Sequence, residues 1–540
     1  MAESFDTICF EVYINSAWLD ITGDVLVDPA PKWNRGIMGN GPLDRVGSPG
    51  YLTFSLNNSQ HNSAGLLGYY SPGHPNALTN WGSGLPVRLS FVYEGLRYYK
   101  FYGRIKPDGI KVIPGQFLER RVDVTVHDYM AQAQAHEIKL LTLAENKRID
   151  EVVPLVVANM PIAPLATDYN TGTYTFPTVF DTVRGATTAT AEFQKLANSE
   201  LGYIYARGDF TSGETLVVDG STTRQSVTTA IPVSIIDTGF LLKEDGDFLL
   251  LEGGDKIILN QSQSASFTDS ELYPGTEINY GDHLVNKVEV STYPRRIDAA
   301  ATTTLFTLQS QFSLGASETK SNYYGRYRDP SGGASYVNGK DMRVPTTDDF
   351  LAETTAAVDA STDITLTATY GTEGVSYDLV NNVASERIVK TLKAVGKGIY
   401  IYDAVKIIYE STDSQLTHGL RILNVDMKYQ DDPTVGEFFA NILLSQLSNP
   451  ALSVPKMFTF ANRNSMTING FLALEPGTKL MFDETVTGID SDFYVQGYEA
   501  EIVNGKHVWW KPVLQSALLS AGAWIWDTSL WDISTNWATQ

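Results

Sequence analysis

Short runs dense in β-branched and aromatic residues, cut at close intervals by Gly, Pro and Asn, dominate the first 130 residues. They include FEVYI (10–14), YLTFSL (51–56), PVRLSFVY (86–93), LRYYKFYGRI (96–105) and RRVDVTVHDY (120–129). Such side chains suit a pleated sheet, and the intervening residues supply its turns. The pattern confines this part of the chain to β structure. Composition agrees: charged residues make up 19%, below the roughly 25% of an ordinary domain, and Asn, Thr, Ser, Gly and Tyr take their place. Residues 58–84 read as one long irregular loop.

Helical patterning is confined to a few segments. Residues 130–160 are helical in composition, with Ile149, Val152, Val153 and Val156 at helical spacing, and Pro154 implies a break or a second start. TATAEFQKLANSE (188–200) reads as a short helix with Ala191, Phe193, Leu196 and Ala197 on one side and Gly202 as its C-cap. Residues 203–220 read as a hairpin. HLVNKVEVSTYP (283–294) opens a further β region. The Thr- and Ser-rich stretch 300–380, with DITLTATYG (363–371), reads as a β-sandwich insert or a long surface excursion. Strands follow over 390–411. The clearest helix is DDPTVGEFFANILLSQLSNP (431–450), with Asp431 or Asp432 as cap, Pro433 in the first turn and an apolar stripe of Val435, Phe438, Phe439, Ile442, Leu443 and Leu447. Residues 456–514 read as β again. The wide gap between the two main helical regions argues against a doubly wound sheet.

The 540 residues predict about three to four domains at roughly 100–200 residues each. The net charge of −22 argues against a nucleic-acid reader, which needs Lys and Arg to displace counterions. It is compatible with a surface past which nucleic acid slides. The single cysteine, Cys9, excludes a disulfide within one chain. No signal-peptide pattern opens the sequence and no run of 18 apolar residues occurs. Synthesis in a cytoplasm without a membrane span is the expectation.

No phosphate loop, nucleophile elbow or zinc-protease pair is present. None of the seven histidines pairs with another at ligand spacing. His127 and His136 lie near Asp128 and Glu137, where partly buried or surface histidine is the simpler reading. Asp245, Asp247 and Asp255 miss the calcium-loop pattern. Arg207-Gly208-Asp209 reads as a tight turn rather than an adhesion signal. No catalytic residue, cofactor or metal is expected.

Two octapeptides, FLLKEDGD and FLLLEGGD, repeat from Phe240, and KIILNQSQ follows. Two-residue turns at Asp245-Gly246 and Gly253-Gly254 make a three-stranded meander. One face then carries Leu241, Phe248, Leu250, Ile257 and Leu259, and the other Phe240, Leu242, Leu249, Leu251 and Ile258. A meander apolar on both faces is expected to be covered by its own chain and by a neighbouring subunit. The tail, AWIWDTSLWDISTNW (523–537), presents tryptophans that either stack on sugars or make core or subunit contacts, the commoner use. Phe240, Leu242, Phe248, Leu249, Leu251, Ile258, Trp524, Trp526 and Trp531 are the candidate interface residues.

The N-terminal order WLDITGDVL (18–26), DRVGSPGYLTFSLNN (44–58), YYSPGHPNA (69–77), SGLPVRLSFVYEGLRYYKFYGRI (83–105) and RVDVTVHDYMAQA (121–133) resembles the tail-tip, baseplate-hub or minor tail proteins of long-tailed bacteriophages. EFQKLANSELGYIYARGDFTSGETLVV (192–218), HLVNKVEV (283–290), Thr417 to Arg421 with EFFANILLSQLSNP (437–450), LEPGTKLMF (474–482) and YVQGYEAEIVNGKHVWWKPVLQ (494–515) carry it further, over roughly 350 residues in all. The resemblance implies a mainly β, multi-domain chain with two tube-like β-barrel domains. Together with the residue patterns it suggests an N-terminal barrel over 1–130, an α/β helix-hairpin module over 131–230 and, from the octapeptide repeat rather than the family pattern, a β-meander insertion over 231–270. A second β region with the Thr/Ser-rich excursion covers 271–430, a helix and closing barrel 431–518 and the aromatic tail 519–540. It implies a homotrimeric hub in the virion, made in the bacterial host cytoplasm. That hub joins or closes the tail tube around a DNA conduit, next to tail tube or distal tail protein, tip or fibre proteins and the tape measure. DNA would pass without specific binding. The competing readings are a receptor- or glycan-binding tail-tip protein and a cell-wall hydrolase.

Overall fold

The computed structural model describes residues 4–115, 120–139, 141–181, 183, 186–208, 213–221, 274–331 and 336–516, together with 232–233, 263–264, 266–268 and 272. Residues 240–262 and the tail beyond Ser516 lie outside these, so every candidate interface residue named above lies outside the described residues. The protein is mainly β and divides into several units around separate cores.

The largest unit is a twelve-stranded sheet. The N-terminal region supplies β1 (Thr7–Ile14), β2 (Ala17–Asp20), β3 (Lys32–Gly36), β4 (Tyr51–Asn57), β5 (Pro86–Tyr93), β6 (Leu96–Pro114) and β7 (Arg120–His127). All of the expected N-terminal strands are present, β6 runs nine residues beyond its expected end, and β2 and β3 are additional. The sheet does not stop with this region. β3 pairs antiparallel with the strand Ile489–Val503, Gly36 opposite Gly497, and that strand pairs on with Lys479–Glu484 and His507–Ser516. One core serves both chain regions: Trp33, Phe54 and Phe91 pack in the same cluster as Phe471, Tyr498 and Trp510. The 58–84 loop is irregular, as expected. It is fastened by Asp24, a buried carboxylate that accepts from the Tyr70 hydroxyl at 2.6 Å and the Ser63 amide at 2.7 Å.

After β7 comes a compact α/β unit. Here the reading of 130–160 as helical, with a break or second start at Pro154, is corrected. α1 (Tyr129–Ala135) is short. Strands Glu137–Lys139 and Ala144–Arg148 then intervene before α2 (Ile149–Val157). Pro154 sits inside α2 rather than breaking it. Ile149, Val152, Val153 and Val156 are fully buried, as their spacing predicts. α3 (Ala189–Glu200) forms on the expected segment, with Thr188 as N-cap accepting from the Ala191 amide. Two details differ. Leu201, not Gly202, takes the left-handed C-cap conformation (φ 51°). Ala191 faces solvent, while Glu192 and Glu200 are buried. The hairpin Tyr203–Arg207 with Thr215–Asp219 is present as expected.

A three-stranded sheet orders Val405–Glu410, Lys287–Thr292 and Ile422–Met427. The helix Pro433–Leu447 covers one side of it, capped by Asp432, whose carboxylate accepts from the Thr434 amide at 2.8 Å. Val288, Val290, Val425, Phe439 and Leu443 form the core between them. Between the first and second of its strands in chain order, residues 295–401 leave and return. They form β structure around a core of their own, with Leu305, Tyr327, Tyr377 and Val389 buried. The long strand Arg387–Ile401 holds five short ones. The 456–514 segment is not wholly β: the helix Ser465–Ala473 interrupts it, with Asn464 and Thr467 forming a reciprocal cap.

Candidate functional site

Charged groups converge where the two regions of the large sheet meet the α/β unit. Lys100 is the first. The register between β5 and β6 slips between Leu89 and Ser90, so Lys100 is an extra residue opposite that step. A bulge re-aims a side chain, and Lys100 and Phe101 are consecutively buried. The Lys100 ammonium donates to the Phe471 carbonyl at 2.8 Å, at the end of the helix Ser465–Ala473, and pairs with Glu475. Burial pulls its pKa down, and Glu475 pulls the other way.

Glu475 also accepts from the Gly208 amide at 2.9 Å. This uses the middle residue of the Arg207-Gly208-Asp209 tripeptide inside the protein. Arg207 pairs with Asp168 at 2.7 Å. Arg35, fully buried on β3, donates to the Lys100 carbonyl at 3.0 Å and to that of Gly213. Two more carboxylates complete the group. Asp128 caps α1, accepting from Ala131 at 3.1 Å and from Gly50 at 2.9 Å. Glu214 accepts from the Tyr129 amide at 3.1 Å and that of Leu165 at 3.3 Å.

Lys100, Arg35, Asp128, Glu214 and Glu475 are buried, and most of their bonds reach backbone of another segment. A substrate has no access to them. Their chemistry is that of struts: each charge holds two or three stretches of chain in one geometry, and each is costly to leave unpaired. Sequence reading passed over four of the five and named Asp128 only as a neighbour of His127 and His136. Lys100 offered a signal, as a lone lysine between aromatic residues inside a strand run. Arg35, Glu214 and Glu475 offered none that marks them among the 62 acidic and 40 basic residues. Near Asp128, His127 and His136 do not converge. His127 ends β7, with its pKa lowered by burial and by Lys106, and His136 ends α1 through its backbone. Among the described residues no three His, Cys, Asp or Glu side chains are grouped as metal ligands.

Two buried carboxylates give the protein a pH signature. Glu200, at the end of α3, accepts from the amides of Thr173 (2.7 Å), Tyr174 (3.1 Å) and Ser221 (3.4 Å). Burial pushes its pKa up to about 7 despite those amides. Glu214 is likewise pushed up to about 7 by burial, with Arg35 opposing. An unfolded glutamate titrates near ~4.3. Below that pH both states hold the proton. Between there and about 7 the folded state keeps protons that the unfolded chain has released, so stability falls as pH rises. Glu200→Gln is expected to flatten the decline of Tm between about pH 4.5 and about pH 7.5. Thermal melts across that range check it, and parallel curves for variant and parent would contradict the assignment.

No protein-family model and no curated protein matches the chain. Similar solved structures include the tail protein from Neisseria meningitidis MC58, 8% identical with a TM-score of 0.45, covering 95% of this chain and 98% of that one. The 43 kDa tail protein of prophage MuSo2 from Shewanella oneidensis is 10% identical with a TM-score of 0.42, over 95% and 99% of the two chains. Prophage tail protein gp18 from Listeria monocytogenes EGD-e is 10% identical with a TM-score of 0.37, over 94% of each.

Proposed function

We propose that the chain is a structural subunit of a long-tailed bacteriophage tail, placed at the tail tip or baseplate as a hub that closes or joins the tail tube as a homotrimer. The observation that carries this reading is the large sheet. The N-terminal motifs and the C-terminal motifs of the resemblance, far apart in sequence, fall on strands of one sheet, joined at Gly36 and Gly497. Their most buried charges serve as struts between segments, an arrangement suited to a rigid building block. In this reading the trimer surrounds the DNA path, and the net charge of −22 keeps phosphates from adhering. Its neighbours are tail tube or distal tail protein, the tape measure and tip or fibre proteins. The octapeptide repeat and the tail tryptophans are proposed to lie between subunits.

Mass photometry of the purified full chain tests the oligomer, and cryo-EM of the virion tests its place. Three 59.4 kDa chains in one particle and a threefold ring continuous with the tail tube are expected. A monomer in solution combined with a peripheral, flexible position on the virion would overturn the proposal. So would cell-wall hydrolysis by the purified chain that disappears when a single carboxylate is replaced.

A further inference from the structure

A second feature is independent of the hub reading. Residues 295–401 leave the three-stranded sheet after Tyr293 and return before Val405. At the mouth of this excursion lies a cleft of about 450 Å³, within the roughly 300–1,000 Å³ of small-molecule sites. One wall comes from the excursion and carries Arg326, Tyr336 and Glu373. The other comes from the returning segment and the sheet and carries Tyr402, Asp403 and Lys428.

The aromatic rings stand open. Tyr336 is 50% exposed and Tyr402 53% exposed. Tyr336 is braced on one side by the Arg326 guanidinium, 3.5 Å from its ring centre. The cations are already matched within the protein. Arg326 faces Glu373 at 3.6 Å, and Lys428 pairs with Asp426 at 2.9 Å and donates to the Tyr293 hydroxyl at 2.5 Å. Deeper in, Asp181 is paired with Arg295. Each of these cations has a carboxylate partner, while the buried Arg326 Nε lacks a hydrogen-bond partner and Arg328 stands 5.4 Å from the Tyr336 ring centre. Polar capacity remains all the same. Glu373 is about nine-tenths buried, and its Oε2 has no hydrogen-bond partner. Asp403 stands exposed at the rim.

From this combination we infer that the cleft is a binding site for a neutral saccharide. Tyrosine rings present flat apolar faces to the C–H faces of a sugar ring, and their hydroxyls stay available for hydrogen bonds. Carboxylates accept from sugar hydroxyls in strong, charge-assisted bonds. A site whose cations are internally paired gives a charged sugar no advantage over a neutral one. A ligand held between the two walls also bridges the excursion to the body of the protein, which ties recognition to the angle at which the excursion stands.

Saturation-transfer NMR on the full chain, followed by calorimetry, tests this with lactose, maltose, cellobiose and chitobiose as neutral probes and 3′-sialyllactose as the charged one. At least one neutral disaccharide is expected to bind. Tyr402→Ala and Tyr336→Ala are each expected to weaken it at least tenfold. Tyr280→Ala, at a ring 70% exposed elsewhere on the surface, is expected to leave it unchanged. If Tyr336→Ala fails to fold because Arg326 loses its ring, Tyr402→Ala on the opposite wall decides. No neutral disaccharide bound up to about 10 mM, ten times a Kd of ~1 mM, overturns the inference. Binding that survives Tyr402→Ala overturns it too, as does a clear preference for 3′-sialyllactose.

Discussion

Lys100→Ala is expected to cost about 3–5 kcal/mol of stability, the range for removing one partner of a buried ion pair. The substitution removes the ammonium that holds Glu475 and the Phe471 carbonyl. Glu475 would then remain as a buried, uncompensated charge beside Tyr498, whose hydroxyl already lies 3.4 Å from both of its oxygens. The damage should spread across segments, because Glu475 also fixes the Gly208 amide of the α/β unit. Chemical denaturation should show the unit containing the large sheet unfolding at lower denaturant. Lys100→Met combined with Glu475→Gln should recover much of the loss, since it removes both charges and keeps most of the volume. A single variant as stable as the parent would show that the pair is not a strut.

Gly497→Val is expected to be comparably damaging, by sterics rather than charge. Gly36 and Gly497 face each other where β3 meets Ile489–Val503. A Cβ on Gly497 would stand 2.6 Å from the carbonyl oxygens of both Arg35 and Ile37. Backbone on both sides cannot swing away as a side chain would, so the strands must separate. A cost of ~3 kcal/mol, the upper part of the usual overpacking range, is expected. Faster hydrogen exchange at the Arg35 and Tyr498 amides, with little change in residues 295–401, is the measurement that separates this from general unfolding. Uniform exchange across all units would contradict it.

The two predictions differ in how visible their residues were in sequence. Strands over 86–93 and 96–105 were legible because alternation and β-branching are local properties. The helix over 431–450 was legible because cap, proline and apolar stripe lie within one window. Pro154 misled: it forgoes an amide bond to the Asp150 carbonyl within α2, yet the helix runs on to Val157, its Ile149, Val152, Val153 and Val156 face fully buried. The helix Ser465–Ala473 was missed because its Asn, Thr and Gly content hides a capped turn inside a β-looking stretch. The strut residues were invisible for a different reason. Arg35, Glu214 and Glu475 acquire their role from backbone partners 49 to 267 positions away in the chain. The cleft tyrosines likewise gain meaning only when Arg326 and Tyr336 are brought together with Tyr402 and Asp403 around one cleft. The octapeptide repeat was the most conspicuous feature of the sequence, and its residues 240–262 lie outside the described residues.

The joining of early and late strands has a consequence for synthesis. The Tyr498 hydroxyl and the Lys100 carbonyl that it reaches are 398 positions apart. At roughly 5–20 residues per second, the ribosome needs on the order of 20–80 s to make the second partner after the first. During that interval β3 presents a bare edge, and Lys100 awaits its carboxylate. The first sheet is therefore completed last, and a chain cut short by nonsense mutation or proteolysis keeps an unfinished edge. Translation itself would then act as a checkpoint on assembly, since only a finished polypeptide owns a closed joint.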